Sequence, residues 1–190
     1  MEMEVNGAQI VMGDATWNFA INYVGENKTT STSEAVCNGI WNEILQRNFP
    51  YPKFIIAPEQ RQTTAIRPDL TIFFVDKTKK EWHPVFTFEG KAPYHEKYMV
   101  EKGKDQATKY IVSLSWSADK WVNENKKETY GMLACGKSFM ILKYDVGTKD
   151  ICRIDPKSRK TSTDFTPSSL DGCAEDFDAI CKNIADSFLV

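Results

Sequence analysis

The sequence lacks the motifs of several specialised classes of protein. Its five cysteines are odd in number and include no Cys-x-x-Cys pair. We therefore expect neither a disulfide framework nor a structural zinc site. The two histidines, His83 and His95, do not have metal-ligand spacing, and we expect both at the surface or in loops. No Gly-x-Ser-x-Gly nucleophile elbow and no Gly-x-Gly-x-x-Gly dinucleotide-binding turn occurs.

Long apolar runs and a strong charge of one sign are also missing. No stretch approaches the ~18 to 20 continuous apolar residues of a membrane helix, and residues 1–4 do not begin a secretory signal. These observations predict an intracellular protein, cytoplasmic or nuclear, without a membrane partner. The formal net charge of −2 gives no general support for nucleic-acid binding, so any such contact must use a local basic patch.

The 190 residues have the composition of one ordinary globular domain, with 42% hydrophobic and 26% charged residues. We treat residues 1–190 as a single domain and interpret residues 8–24 as a weak strand or loop region. Apolar periodicity then predicts a mixed sheet flanked by helices, an α/β sandwich. The predicted helices are 31–49, 98–115 and 170–189, and the predicted strands are 66–76, 82–92, two segments within 130–144, and 150–154.

The first two of these strands predict a hairpin with charged, potentially catalytic residues on one face. If the turn centres on Lys79, opposite residues have numbers that sum to 158, so Asp69 faces Glu89 and Val75 faces His83. Alternation then places Asp69, Glu89 and Lys91 on one side of the hairpin, while the other side is apolar. A shift of register by two residues would leave Asp69 on the same face.

Two adjacent carboxylates repel each other, and burial makes the repulsion worse unless a cation lies between them. A hard divalent ion with oxygen ligands, Mg²⁺ or Mn²⁺, would resolve this conflict. The alternative interpretation is an ion pair between Lys91 and a carboxylate on a solvated face. The placement of Asp69 opposite Glu89 favours the metal site.

Pro68-Asp69, nineteen intervening residues and Glu89-Gly90-Lys91 resemble the signature of the PD-(D/E)XK nuclease superfamily. The order of elements over residues 31–145 also resembles the restriction-endonuclease-like core of that superfamily. The resemblance implies a nuclease in which Asp69 and Glu89 bind one or two Mg²⁺ or Mn²⁺ ions, helped by the Gly90 carbonyl. It implies that Lys91 orients the attacking water or offsets charge on the phosphate.

The superfamily often places a further acidic ligand on the first helix. Glu34 lies on the stripe of that helix that we expect to face the sheet, so it is the candidate. Ser31 and Glu34 also have the form of a capping box, which would explain Glu34 without a metal. Both interpretations stay open.

The second helix carries Gln106-Ala107-Thr108-Lys109-Tyr110, which resembles the Gln-x-x-x-Tyr motif of RecB-like and lambda-exonuclease-like members. Gln106 and Tyr110 are four residues apart and share a helical face. With Lys102 and Lys109 nearby, this helix predicts a basic edge that would support the site and contact backbone phosphates.

The expected function is therefore hydrolysis of phosphodiester bonds, in DNA rather than RNA, with oligomerisation left open. A viral-type cap-snatching RNA endonuclease shares the core, but its members often carry a histidine on an early helix and this chain has none there. The alternative from another class is a catalytically inactive domain that acts in protein interaction or regulation. Binding of a divalent metal would distinguish a nuclease from such an inactive domain.

Overall fold

The computed structural model describes residues 7–23, 30–59, 67–116, 124 and 128–189. The helices are α1 (Gly7–Gly13), α2 (Ala15–Ile21), α3 (Thr30–Asn48), α4 (Glu96–Tyr98), α5 (Lys104–Trp116) and α6 (Leu170–Ser187). A 3-10 turn over Pro93–His95 precedes α4, and a π-helical segment over Met99–Gly103 joins α4 to α5. The strands are β1 (Phe54–Pro58), β2 (Leu70–Asp76), β3 (Glu81–Lys91), β4 (Glu128–Cys135), β5 (Ser138–Asp145), β6 (Ile151–Ile154), β7 (Thr161–Ser162) and β8 (Ser168–Ser169).

These strands form one mixed sheet of eight, in the order β1 to β7, with β8 paired to β5. β3 and β4 are parallel, because α4 and α5 lie between them in the chain and carry it back across the sheet. The neighbouring pairs β1–β2, β2–β3, β4–β5 and β5–β6 are antiparallel. The predicted mixed α/β architecture is confirmed.

Apolar residues are buried on both faces of the sheet. On one face, Phe86 and Phe88 of β3 pack with residues of α3 and α6 such as Trp41 and Phe177. On the other face, Leu133 of β4 packs under α5. The polar face of β3 is therefore covered by a helix, which buries side chains that the sequence pattern alone would leave in solvent.

The predicted register of the β2–β3 hairpin is confirmed near its open end and wrong near its turn. Leu70 pairs with Phe88 and Ile72 with Phe86, so these numbers sum to 158, but Val75 pairs with Trp82 rather than His83. A β-bulge after Ile72 causes the shift. Pro84 has no N–H to donate to the ladder, which explains a bulge at this position.

The interpretation of residues 8–24 as a strand or loop region is wrong, because α1 and α2 occupy most of them. Asp178 of α6 caps α1, where its carboxylate accepts hydrogen bonds from the backbone of Ala8 (2.7 Å) and Gln9 (3.0 Å). Asp14, the residue directly before α2, caps that helix in the same way. A cap supplied by a residue 170 positions away leaves no local signal in the sequence.

Other differences are smaller. β1 was not predicted, and the predicted helix 98–115 begins with the irregular α4 and π-helical turns rather than as one regular helix. His83 is buried against Phe74 instead of lying at the surface. None of the helices in the described part of the chain combines the length and the hydropathy of a membrane span.

We predict that Asp178→Ala destabilises the fold by about 2–3 kcal/mol, because it takes this acceptor from one buried and one half-buried N–H group of α1, and leaves the Asn48 amide with only the Ile44 carbonyl. Asp14→Ala is the matched control, since it removes an exposed cap and should cost about 1 kcal/mol. Urea unfolding measures both values. Equal costs would show that Asp178 contributes only as an ordinary cap.

Candidate functional site

The predicted site residues meet at one end of the β2–β3 hairpin. Asp69 lies at the bend immediately before β2, and Glu89 and Lys91 are among the last three residues of β3. Glu34 approaches from α3, and Gln106 with Tyr110 approaches from α5. Residues from four separate elements therefore converge on the Glu-x-Lys segment.

Asp69 is anchored by two hydrogen bonds to a single oxygen. Its Oδ2 accepts from the backbone N–H of Gly90 at 2.8 Å and from the Asn38 amide at 3.2 Å. Burial raises the pKa of Asp69 above its ordinary value, although both hydrogen bonds and the charge of Lys91 act in the opposite direction. The carboxylate is thus held firmly in a place where its charge is poorly solvated.

Glu89 is the most deeply placed carboxylate of the site, with only 3% of its surface exposed. Its Oε1 accepts from the Lys91 ammonium at 2.5 Å and from the Gln106 amide at 2.6 Å. Its Oε2 is buried and has no hydrogen-bond partner within the part of the chain that the structure describes. Burial, followed by repulsion from Asp69, raises the pKa of Glu89 from 4.5 to about 7.

Lys91 lies between carboxylates on two sides. Its Nζ is 2.5 Å from Glu89 and 3.9 Å from Glu34. Burial lowers its pKa, but the hydrogen bond and charge of Glu89, and then the charges of Glu34 and Asp69, raise it by more, so the net shift is upward. Lys91 is therefore a charged ammonium at neutral pH.

A chain of polar side chains extends from Glu89 along α5. The Gln106 amide nitrogen contacts both Glu89 and the Tyr110 hydroxyl, the latter at 2.7 Å, and the Tyr98 hydroxyl donates to the Gln106 amide oxygen at 2.5 Å. The predicted pairing of Gln106 with Tyr110 is present. Lys102 and Lys109 are exposed on the same stretch of chain.

The site contains two residues that were not predicted, Asn38 and Tyr98. Asn38 follows Glu34 by one helical turn, and that spacing is a signal that could have placed it on the same face. Tyr98 left no such signal. In a regular helix it would lie about 12 Å along the axis from Gln106 and about 80° around it, and only the irregular turns between them bring the two together.

In this arrangement Glu34 does not add a third carboxylate to Asp69 and Glu89. Its carboxylate contacts Lys91, which occupies the space on the Glu89 side. Within the described part of the chain, no group of three or more His, Cys, Asp or Glu side chains is disposed to hold a metal ion. The side chain of Ser31, the other member of the predicted capping box, lies outside the described residues.

The donor set formed by the carboxylates of Asp69 and Glu89 nevertheless fits a hard divalent cation. It consists of carboxylate oxygen atoms, and one of them, Glu89 Oε2, is buried with no hydrogen-bond partner among the described residues. Unpaired buried acceptors are costly and call for an explanation such as an ion. The raised pKa values of Asp69 and Glu89 point the same way, because a nearby cation would relieve both.

A second sequence pattern does not form a site. Residues Gly131-Met132-Leu133-Ala134-Cys135-Gly136-Lys137-Ser138 have the spacing of a phosphate-binding Gly-x-x-x-x-Gly-Lys-Ser loop. Such a loop cradles phosphates with its backbone and opens a helix. Here the segment runs from β4 through a tight turn into β5, and its strand residues pair in the ladder. Lys137 contacts Asp171 at 3.0 Å instead.

No protein-family model, curated protein or solved structure matches the chain. The resemblance to PD-(D/E)XK nucleases consequently rests on the motif residues and their arrangement.

The close approach of the Asn38 side chain requires a glycine at position 90. A Cβ on Gly90 would lie 1.7 Å from the Asn38 Oδ1 atom, so Gly90→Ala should displace Asn38 and loosen Asp69. We predict a loss of about 1–3 kcal/mol in the free energy of unfolding. Gly39→Ala on the neighbouring helix position has open space and should be neutral or stabilising. Similar losses in both variants would contradict this packing argument.

The raised pKa of Glu89 predicts an unusual pH dependence for the metal-free protein. Between about pH 4.5 and 7 the folded protein holds a proton that the unfolded chain releases, so stability falls as the pH rises through this window. We expect a fall of about 1–3 kcal/mol, with Asp69 acting in the same direction.

Glu89→Gln should remove most of that fall, which urea unfolding at several pH values in the presence of a chelator would measure. The control is Glu128→Gln, at the first residue of β4 and far from Glu89. This variant should keep the fall in stability. Equal profiles for wild type and Glu89→Gln would show that Glu89 is not the group responsible.

Proposed function

We propose that this protein is a divalent-metal-dependent nuclease that hydrolyses phosphodiester bonds, with DNA as the favoured substrate. The observation that carries the proposal is the convergence of Asp69, Glu89 and Lys91 at the open end of a hairpin, with Gln106 bound to Glu89. Two buried carboxylates beside one charged lysine make a set suited to a metal and a phosphate. The fold proposed with it is the restriction-endonuclease-like sandwich.

Asp69 and Glu89 would hold Mg²⁺ or Mn²⁺, with the Gly90 carbonyl as a further oxygen donor, and Glu34 would join them only on leaving its contact with Lys91. Such an ion lowers the pKa of water and polarises the scissile phosphate. The hydrogen bonds from Gly90 and Asn38 keep Asp69 in one orientation, which is the contribution of the protein to a rigid ligand set. Burial of Glu89 excludes water from one side of the site.

Lys91 would stabilise negative charge on the phosphate as the bond breaks. Its pKa is raised, so it stays positive without help from the substrate. Glu34, 3.9 Å from Nζ, offers an alternative partner when Glu89 is engaged elsewhere. In this interpretation Glu34 serves the lysine as much as the metal.

Substrate contacts would come from the edge formed by α5 and the turns before it. Lys102 and Lys109 are exposed there and can reach backbone phosphates, while Tyr110 and Gln106 support Glu89 from behind. This local basic edge is what a protein of net charge −2 needs for binding a polyanion.

The second candidate function is an inactive domain that acts in protein interaction or regulation. The 2.5 Å contact between Lys91 and Glu89 favours it, because an ion pair of this kind already neutralises the buried carboxylate without a metal. The two candidates differ in whether the site binds a divalent ion.

We predict that Mn²⁺ stabilises the wild type, by about 2.7 kcal/mol at a concentration 100 times the dissociation constant, and supports cleavage of DNA. Asp69→Asn should lose both effects, whereas Asp186→Asn on the exposed surface of α6 should keep both. Thermal unfolding with and without Mn²⁺, and assays on double-stranded DNA, single-stranded DNA and RNA, measure these outcomes. Absence of Mn²⁺ binding at millimolar concentration would favour the inactive domain.

Lys91→Met should reduce cleavage by at least about 100-fold while Mn²⁺ binds as tightly as before or more tightly. The reason is that Lys91 and the ion compete for Glu89. Lys182→Met, an exposed lysine of α6, is the control. Calorimetric titration with Mn²⁺ alongside the cleavage assay separates the two effects, and weaker Mn²⁺ binding in Lys91→Met would contradict the assigned role.

A further inference from the structure

The Gln106 side chain is held from both ends of its amide. Its nitrogen donates to Glu89 at 2.6 Å and to Tyr110 at 2.7 Å, and its oxygen accepts from the Tyr98 hydroxyl at 2.5 Å. Tyr98 is the partner on the side away from Glu89. It does not belong to the motif that singled out Gln106 and Tyr110.

We propose that Tyr98 is a positioning residue that holds the Gln106 amide with its nitrogen toward Glu89. An amide group can turn over and exchange its oxygen and nitrogen. The reversed orientation would place the amide oxygen against the Glu89 carboxylate, where both atoms are acceptors. The carboxylate therefore sets the orientation, and the Tyr98 hydroxyl holds the amide in it by supplying the donor that the amide oxygen needs. The same hydrogen bond polarises the amide, so that its N–H groups bind the carboxylate more strongly.

The Tyr98 ring also lies near Lys91, the cationic partner of Glu89. The Lys91 ammonium lies 6.0 Å from the centre of the Tyr98 ring, at the outer limit of a cation–π contact. One side chain therefore borders both groups that bind Glu89 Oε1. This position explains how a residue with no contact to Glu89 can influence it.

The backbone around Tyr98 is shaped to bring it there. A π-helical segment follows Tyr98 directly, and π turns within helices occur frequently at functional sites. The segment ends at Gly103, where a Cβ would lie 2.5 Å from a methyl group of Leu133, so the turn packs closely on β4. These irregular turns place the Tyr98 hydroxyl at Gln106, which a regular helix would not do.

The inference rests on the proposed function only for its consequence, which is the affinity of Glu89 for a metal. The test therefore uses Tyr98→Phe with two measurements, one of them without metal. Tyr130→Phe is the matched control, because it also removes a hydroxyl that donates to a partner, Glu128 at 2.6 Å, but on β4 and away from Gln106. Tyr98 is only half-buried, so the loss of one hydroxyl should leave the fold intact.

The metal-free measurement is NMR of the Gln106 side-chain amide, identified by its absence in Gln106→Ala. We expect Tyr98→Phe to shift this pair of signals and to speed its exchange with water, and Tyr130→Phe to leave it unchanged. The second measurement is calorimetric titration with Mn²⁺, in which Tyr98→Phe should weaken binding about 10-fold. The double variant Tyr98→Phe/Gln106→Ala should bind no more weakly than Gln106→Ala alone, because Tyr98 acts through Gln106.

An unchanged Gln106 amide in Tyr98→Phe would overturn the proposal whether or not Mn²⁺ binds. So would additive losses of affinity in the double variant, which would mean that Tyr98 acts independently of Gln106. If the wild type binds no Mn²⁺, the proposed function fails, and the NMR result still decides whether Tyr98 positions Gln106.

Discussion

A carboxylate buried between a sheet and a helix must find partners inside the protein, and Glu89 imposes this requirement on its surroundings. Lys91 and Gln106 both bind one of its oxygens, while the other oxygen is buried and receives no hydrogen bond from the residues described. The charge of Asp69 nearby makes the requirement stronger. Most features of the site are consequences of supplying positive charge and N–H donors to this position.

The irregular parts of the backbone lie where they serve this arrangement. The β-bulge after Ile72 absorbs the effect of Pro84 before the hairpin reaches Asp69, so the register at the site is regular. Gly90 lets Asn38 approach β3 closely enough to bind Asp69. The nuclease proposal and the inactive-domain alternative share all of this geometry. They differ in what neutralises Glu89, a metal ion or Lys91 alone.

Sequence reasoning succeeded where the relevant distances are short along the chain. The proximity of Asp69 to Glu89 follows from the pairing of a hairpin, and the pairing of Gln106 with Tyr110 follows from the helical repeat. It failed for Tyr98, because the π-helical turn changes the repeat on which such reasoning depends. It also failed for α1, whose cap comes from Asp178 at the other end of the chain.

The sequence by itself determined the mixed α/β class, the hairpin that carries the carboxylates and the residue types that could perform chemistry. These properties depend on local patterns of polarity with a fixed period. Tertiary structure alone decided that α5 covers Glu89, that Glu34 faces Lys91, and that Asn38 and Tyr98 join the site. Burial and the pKa shifts that follow from it depend on which elements pack together in space, and no local pattern encodes that.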